Sequence, residues 1–190
     1  MEYLLNKQDL LLDSLIDFYN KDSKKNVGIL KTIIEQKSVI SLRLLDWLTT
    51  NYSKQHNIYY NVGINLFNLH NDYKNQLKAY SKKLFDPFCR RHRIFIIVDS
   101  VTFRILRTSL TELQASPDES VLITTVGQLN FFRWAIKYNV ASYTIKHHRD
   151  IEIDMLARNT TKKNKVKKRQ EISVTPNIAF KNEIKGVISW

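Results

Sequence analysis

At 190 residues and 43% apolar side chains, with nine Phe, nine Tyr and three Trp, the chain can bury a substantial core, which excludes a wholly disordered polypeptide. A single cysteine, Cys89, excludes an internal disulfide and suits a reducing compartment. Four Gly and three Pro favour helices with few tight turns, and a net charge of +12 directs attention to acidic partners.

The start, Met1-Glu2-Tyr3-Leu4-Leu5-Asn6-Lys7, has neither the basic start nor the uninterrupted apolar run of a signal peptide. No stretch is apolar for long enough to span a bilayer. The expectation is a soluble intracellular protein. Residues 4–19 read as a helix with Leu5, Leu12, Leu15, Ile16 and Tyr19 inward and Asp9, Asp13 and Asp17 in an acidic row. A short second helix is expected over Ile29–Glu35. A third, capped by Ser38, runs to about Tyr52 and includes Leu44, Leu45, Trp47 and Leu48. From Ile58 to Leu69 the residues suit a strand or two.

Tyr73, Leu77, Tyr80 and Leu84 then recur on one helix face. Lys74, Lys78 and Lys82 form a row beside it, with successive lysines about 6 Å apart along the axis, close to the phosphate spacing along one nucleic-acid strand. Asp86-Pro87 should end this helix, because the residue before proline is pushed out of helical geometry. Arg90, Arg91 and Arg93 follow at once, with His92 among them. Arg93–Val98 is apolar and β-branched, a strand pattern. Asp99-Ser100 turns the chain into Val101–Arg107, where Phe103, Leu106, Leu110 and Leu113 fit a helical period as well as a strand. Ser116–Ser120 reads as a loop and Val121–Thr124 as a short strand.

Thr125-Val126-Gly127-Gln128 matches a capping box, in which Thr and Gln satisfy each other's backbone donors. The helical pattern behind it puts Leu129, Phe132, Ile136, Val140, Tyr143, His147 and Ile151 on one face, with a break at Asn139. Beyond Arg158, Lys162-Lys163-Asn164-Lys165-Val166-Lys167-Lys168-Arg169 holds six basic residues in eight, and self-repulsion predicts a flexible arm. Ile172–Val174 and Ile184–Trp190 would add an edge strand or dock loosely. The sequence shows no internal repeat. These elements describe a predominantly helical α+β domain over residues 1–158: N-terminal helices, a small antiparallel sheet and a long C-terminal helix, with a basic arm and tail over 159–190. A basic helix leading into a hairpin is compatible with a winged-helix arrangement.

The abundance of Asn, Lys, Ile and Tyr is also what an AT-rich genome imposes, so the charge needs a test of distribution. Residues 1–71 carry a net +1, residues 72–93 a net +5, residues 94–158 zero and residues 159–190 a net +6. Codon bias would raise lysine everywhere, yet two segments hold 11 of the 12 excess charges. That favours functional patches, although a solvated helix face accounts for part of the first.

Four isolated glycines, Gly28, Gly63, Gly127 and Gly186, cannot supply a phosphate-binding loop or a dinucleotide fingerprint. Cys89 and His92 have ligand-like spacing and His147-His148 could complete a set, but three neighbouring arginines would repel a cation. Asp150, Glu152 and Asp154 suit a metal-dependent nuclease less well than surface ion pairs with Lys146, Arg149 and Arg158. Phe131, Phe132 and Trp134 beside Arg133 could stack bases, though aromatics at helical spacing are more often core. The expectation is a binding protein without catalytic residues, cofactor or metal.

Three stretches carry a resemblance: Ser41-Leu42-Arg43-Leu44-Leu45-Asp46-Trp47-Leu48 with the residues to Lys54, Tyr73 through Arg93, and Thr124 through Asn139. They resemble an uncharacterised family of nucleocytoplasmic large DNA viruses, the mimivirus- and phycodnavirus-like group. The similarity covers most of residues 5–158, and Val98 to Glu119 departs from it as an insertion would. The resemblance implies a viral origin and a role in host cytoplasm, virus factory or virion, with the nucleus open to it through the basic arm. It brings no site residues.

The leading expectation is sequence-independent phosphate contact with nucleic acid, DNA before RNA. The residues are Lys74, Lys78, Lys82, Lys83, Arg90, Arg91 and Arg93, together with Lys162, Lys163, Lys165, Lys167, Lys168 and Arg169 of the arm. The alternative is a minor capsid or core component whose basic patches meet acidic viral proteins or a membrane face.

Overall fold

The computed structural model describes the backbone of residues 7–108 and 118–168, and the side chains of 7–108 and 118–158. Contacts divide the chain into Met1–Leu156 and Ala157–Trp190. The first unit is α+β and mostly helical, with two small antiparallel sheets.

Helix α1 spans Lys7–Lys21 and buries Leu12, Leu15 and Tyr19 on the face that the periodicity predicts. The Tyr19 hydroxyl donates to the Leu129 carbonyl at 2.8 Å, and burial pushes its pKa well above the usual phenol value. Helix α2 spans Ser23–Ile34, starting earlier than the expected Ile29. Its polar opening is anchored from within, because buried Asn26 donates to the Phe18 carbonyl at 3.0 Å.

The third helix is capped by Ser41, not by Ser38. The Ser41 hydroxyl accepts from the Leu44 amide at 3.1 Å, whereas that of Ser38 accepts only from Ile40, two residues on. Helix α3 (Leu42–Trp47) passes into a π-helical turn over Leu48–Tyr52 and then α4 (Ser53–His56), which Asn57 ends in the left-handed conformation. The Thr49 and Thr50 hydroxyls both donate to the Asp46 carbonyl, supporting the widened turn.

Strands β1 (Tyr59–Val62) and β2 (Asn65–Asn68) form a hairpin whose tip, Gly63, takes a φ of +62°. Asn68 caps α5 (Leu69–Leu84) by accepting from the Asn71 amide at 2.8 Å. Strands β3 (Arg93–Asp99), β4 (Ile105–Thr108) and β5 (Glu119–Thr125) form the second sheet in the order β4-β3-β5. The period ambiguity after Val101 resolves to strand at Ile105–Thr108, and Leu110 and Leu113 lie outside the described residues. Glu119 and Ser120 belong to β5 rather than to the expected loop, and Ser116 and Pro117 are also outside the description.

The inner face of this sheet, Ile96, Val98, Ile105 and Leu122, joins the main core. Asn20 fastens α1 to β4 as a surrogate strand: it accepts from the Ile105 amide at 2.8 Å and donates to the Ile105 carbonyl at 3.1 Å.

Helix α6 (Val126–Lys137) starts at Thr125, whose hydroxyl accepts from the Gln128 amide at 3.0 Å. The capping box is half realised. The Gln128 side chain turns away from Thr125, accepting from the Thr124 hydroxyl and donating to the Pro87 carbonyl at 2.8 Å, because the Thr125 backbone continues the sheet beside Arg93. The break at Asn139 is present, with a φ of +56°, and a second break at His147 separates α7 (Val140–Lys146) from α8 (His148–Lys168). Helical backbone in α8 continues past Arg158 as far as Lys168, where a flexible arm is expected. Lys and Arg are good helix formers and no Gly or Pro interrupts the run. The tail segments Ile172–Val174 and Ile184–Trp190 lie outside the described residues.

Candidate functional site

The basic segment 72–93 starts on α5. Asp72, in its first turn, accepts the Trp134 indole N–H at 2.6 Å, and Tyr73 packs inward, so the helix is held by its apolar face. Lys74 and Lys78 are exposed one turn apart, as the row requires. The third lysine does not continue it. Ser81 adopts φ 58° and ψ 169°, a region nearly restricted to glycine, and the helix kinks there.

The kink divides the remaining cations between two places. Lys82 and Arg90 line a cavity of about 230 Å³ together with Asp46, Thr50, Tyr73 and Asp86. Asp86 is 7% exposed and accepts three bonds, from the Phe88 amide at 3.0 Å, from Arg90 Nε at 3.0 Å and from Arg90 Nη2 at 2.9 Å. The Arg90 guanidinium also lies over the Phe88 ring, 4.6 Å from its centroid. Burial raises the Asp46 carboxyl above its ordinary value, with Arg90 and Lys82 opposing the shift and Asp86 adding to it. Burial, aided by the Asp46 charge, pushes the Tyr73 hydroxyl to about 12.

On the other side, Lys83, Arg91 and His92 line a smaller cavity of about 190 Å³ against Thr125 and Gly127 at the start of α6. The backbones meet closely here: the Asp86 amide donates to the Gly127 carbonyl at 3.2 Å, and Asn130 donates to the Leu84 carbonyl at 2.8 Å. Arg93 opens β3 near Cys89, where burial raises the thiol pKa and the Arg93 charge opposes the shift.

All seven predicted cations of this segment are exposed: Lys74, Lys78, Lys82, Lys83, Arg90, Arg91 and Arg93. Among the described residues, only Arg90 of the seven has a carboxylate within 4.0 Å. Lys162, Lys163, Lys165, Lys167 and Lys168 lie on helical backbone, with side chains outside the description, and Arg169 lies outside it altogether.

Asp46 and Thr50 are not legible as site residues in the sequence, because only the tertiary fold brings them beside Lys82 and Asp86. Phe131, Phe132 and Trp134 are core, 0%, 0% and 3% exposed, and do not form a base-stacking surface. Asp154 accepts the Trp47 indole N–H at 2.8 Å, which fixes it against α3. Among the described residues, no group of three or more His, Cys, Asp or Glu is placed to hold a metal ion. No described helix is long and apolar enough to cross a membrane.

A family model described as a family of unknown function, DUF7197, matches residues 2–186. Uncharacterized protein L507 of Acanthamoeba polyphaga mimivirus is 38% identical, over 95% of this chain and 71% of that protein. No solved structure matches.

Proposed function

The chain belongs to the family of unknown function DUF7197, with a mimivirus relative, and on that premise we propose that it is a viral nucleic-acid-binding protein making sequence-independent phosphate contacts. The observation that carries this reading is the exposure of all seven cations in one 22-residue stretch, six of them with no carboxylate within 4.0 Å among the described residues. Lys74 and Lys78 form one contact set on α5. Lys83 and Arg91 form another at the start of α6, where helix N–H groups add favourable potential for an anion. Lys162 through Arg169 supply a third concentration of charge. The protein acts as a binder, not a catalyst, in DNA packaging, chromatin-like organisation or transcription, and its place is the virus factory in the host cytoplasm or the virion.

Fluorescence anisotropy with labelled 20-base-pair duplexes of two unrelated sequences tests this at about 50 mM salt. Comparable binding of both supports it. Failure to bind either defeats it.

One observation favours a second reading, a minor capsid or core component meeting other viral proteins. The outer face of the three-stranded sheet is apolar: Ile97 lies opposite Leu106, which is 58% exposed, and Phe95 lies opposite Ile123, which is 47% exposed. Co-purification with shell rather than with genome from infected cells would support this reading over the first.

A further inference from the structure

A cavity of about 640 Å³ lies between α1, α5 and α6, within the roughly 300–1,000 Å³ range of small-molecule sites. Its lining combines two kinds of side chain. Phe18, Tyr80 and Tyr138 are half-buried rings along the wall, and Trp134 is nearly fully buried. Lys21 and Lys137 are exposed at its edge, and the Arg133 guanidinium is half-buried.

Arg133 is the informative residue. Its guanidinium donates to Asn130 Oδ1 at 2.7 Å, to the Tyr80 hydroxyl at 3.2 Å and to Ser14 Oγ at 3.4 Å, all neutral acceptors. Among the described residues no carboxylate lies within 4.0 Å of it, and Asp72, close by in the fold, accepts from Trp134. Asp17 is the one carboxylate in the lining, against three cations, so the lining carries a net +2. A guanidinium partly removed from water and oriented by neutral groups retains its full charge, and an anion is the ligand that would compensate it. Aromatic walls beside that cation favour an anion carrying a planar ring.

We propose that this groove binds a nucleoside phosphate, with the base against the Phe18 ring and the phosphate on Lys21, Arg133 and Lys137, the last two lying over the Tyr80 and Tyr138 rings at 6.0 Å and 5.3 Å. The site uses none of the cations assigned to the phosphate-contact surface and stands independently of that assignment. A free nucleotide and the phosphorylated end of a strand present the same chemistry.

Isothermal titration of the full chain with ATP, AMP, adenosine, inorganic pyrophosphate and a 5′-phosphorylated dinucleotide tests it. ATP or AMP should bind at least about tenfold more tightly than adenosine or pyrophosphate, because neither fragment satisfies both walls. Lys21→Gln with Lys137→Gln, both at exposed positions, should weaken ATP at least about fivefold with an unchanged melting temperature. Arg133→Lys should weaken it further. Lys74→Gln with Lys78→Gln should leave it unaltered. Preference for the dinucleotide over AMP assigns the site to strand ends, and the reverse assigns it to free nucleotide. Absence of binding at millimolar ATP overturns the proposal, as would adenosine or pyrophosphate matching ATP, or ATP binding indifferent to all three substitutions.

Discussion

Arg90 clasps Asp86 through two bonds, Nε to Oδ2 at 3.0 Å and Nη2 to Oδ1 at 2.9 Å, while the same carboxylate accepts the Phe88 amide. One acidic residue in a basic segment thereby folds the exit loop of α5 and commits one of its arginines to structure.

Arg90→Ala should therefore act on stability more than on nucleic-acid affinity. Removing the arginine leaves a nearly buried carboxylate with one partner, but the guanidinium itself faces solvent, which screens the pair. A loss of about 1 kcal/mol is expected, read by urea unfolding at low salt and smaller at high salt. Duplex affinity should fall less than in Lys74→Gln/Lys78→Gln.

Ser81→Gly should stabilise the fold. The φ of 58° with ψ of 169° costs a residue with a Cβ about 1–3 kcal/mol, offset in part by the greater unfolded-state freedom of glycine. A rise of a few degrees in melting temperature is expected for a net gain of about 1 kcal/mol. A fall would mean that the contact of the Ser81 hydroxyl with the Lys83 amide, at 3.3 Å, matters more than the strain.

Gly127→Ala should do the reverse. A Cβ there would stand 3.0 Å from the Lys83 carbonyl oxygen, a backbone atom that cannot swing aside. Separating α6 from the kinked end of α5 should cost about 1–3 kcal/mol in unfolding experiments. It should also weaken DNA binding by displacing Lys83 and Arg91.

Asp46→Asn reports on burial through pH. Burial holds the Asp46 carboxyl above its unfolded value of 3.8, so the folded chain binds this proton more tightly than the unfolded chain. The resulting stabilisation is complete below that unfolded value and is lost as pH rises through the folded one. Asparagine is neutral throughout and does not lose it. The variant should melt higher than the parent near about pH 7, and the difference should shrink to nothing on acidification below 3.8.

What the sequence made legible follows the physics of each signal. Apolar spacing located α1, α5 and α6 and the inward faces of Tyr19, Tyr73 and Phe132, because burial of a stripe is a local pattern. The two charge concentrations were plain from counting. The kink at Ser81, which moves Lys82 out of line, was not, since nothing in Ala79-Tyr80-Ser81-Lys82 breaks a helix and tertiary contact of Leu84 and Phe85 with α6 imposes it. Asp46 is illegible for the same reason: its place is set by tertiary contact with the segment of Asp86, forty residues away.

The most direct test of the phosphate-contact reading is the salt dependence of duplex DNA affinity for the whole chain. A plot of log affinity against log salt should be linear with a slope of about −4 or steeper, as release of several counterions requires. Lys74→Gln/Lys78→Gln should flatten it by about 2, and removal of residues 159–170 should flatten it further. Salt-independent binding, or no binding at low salt, would contradict the account.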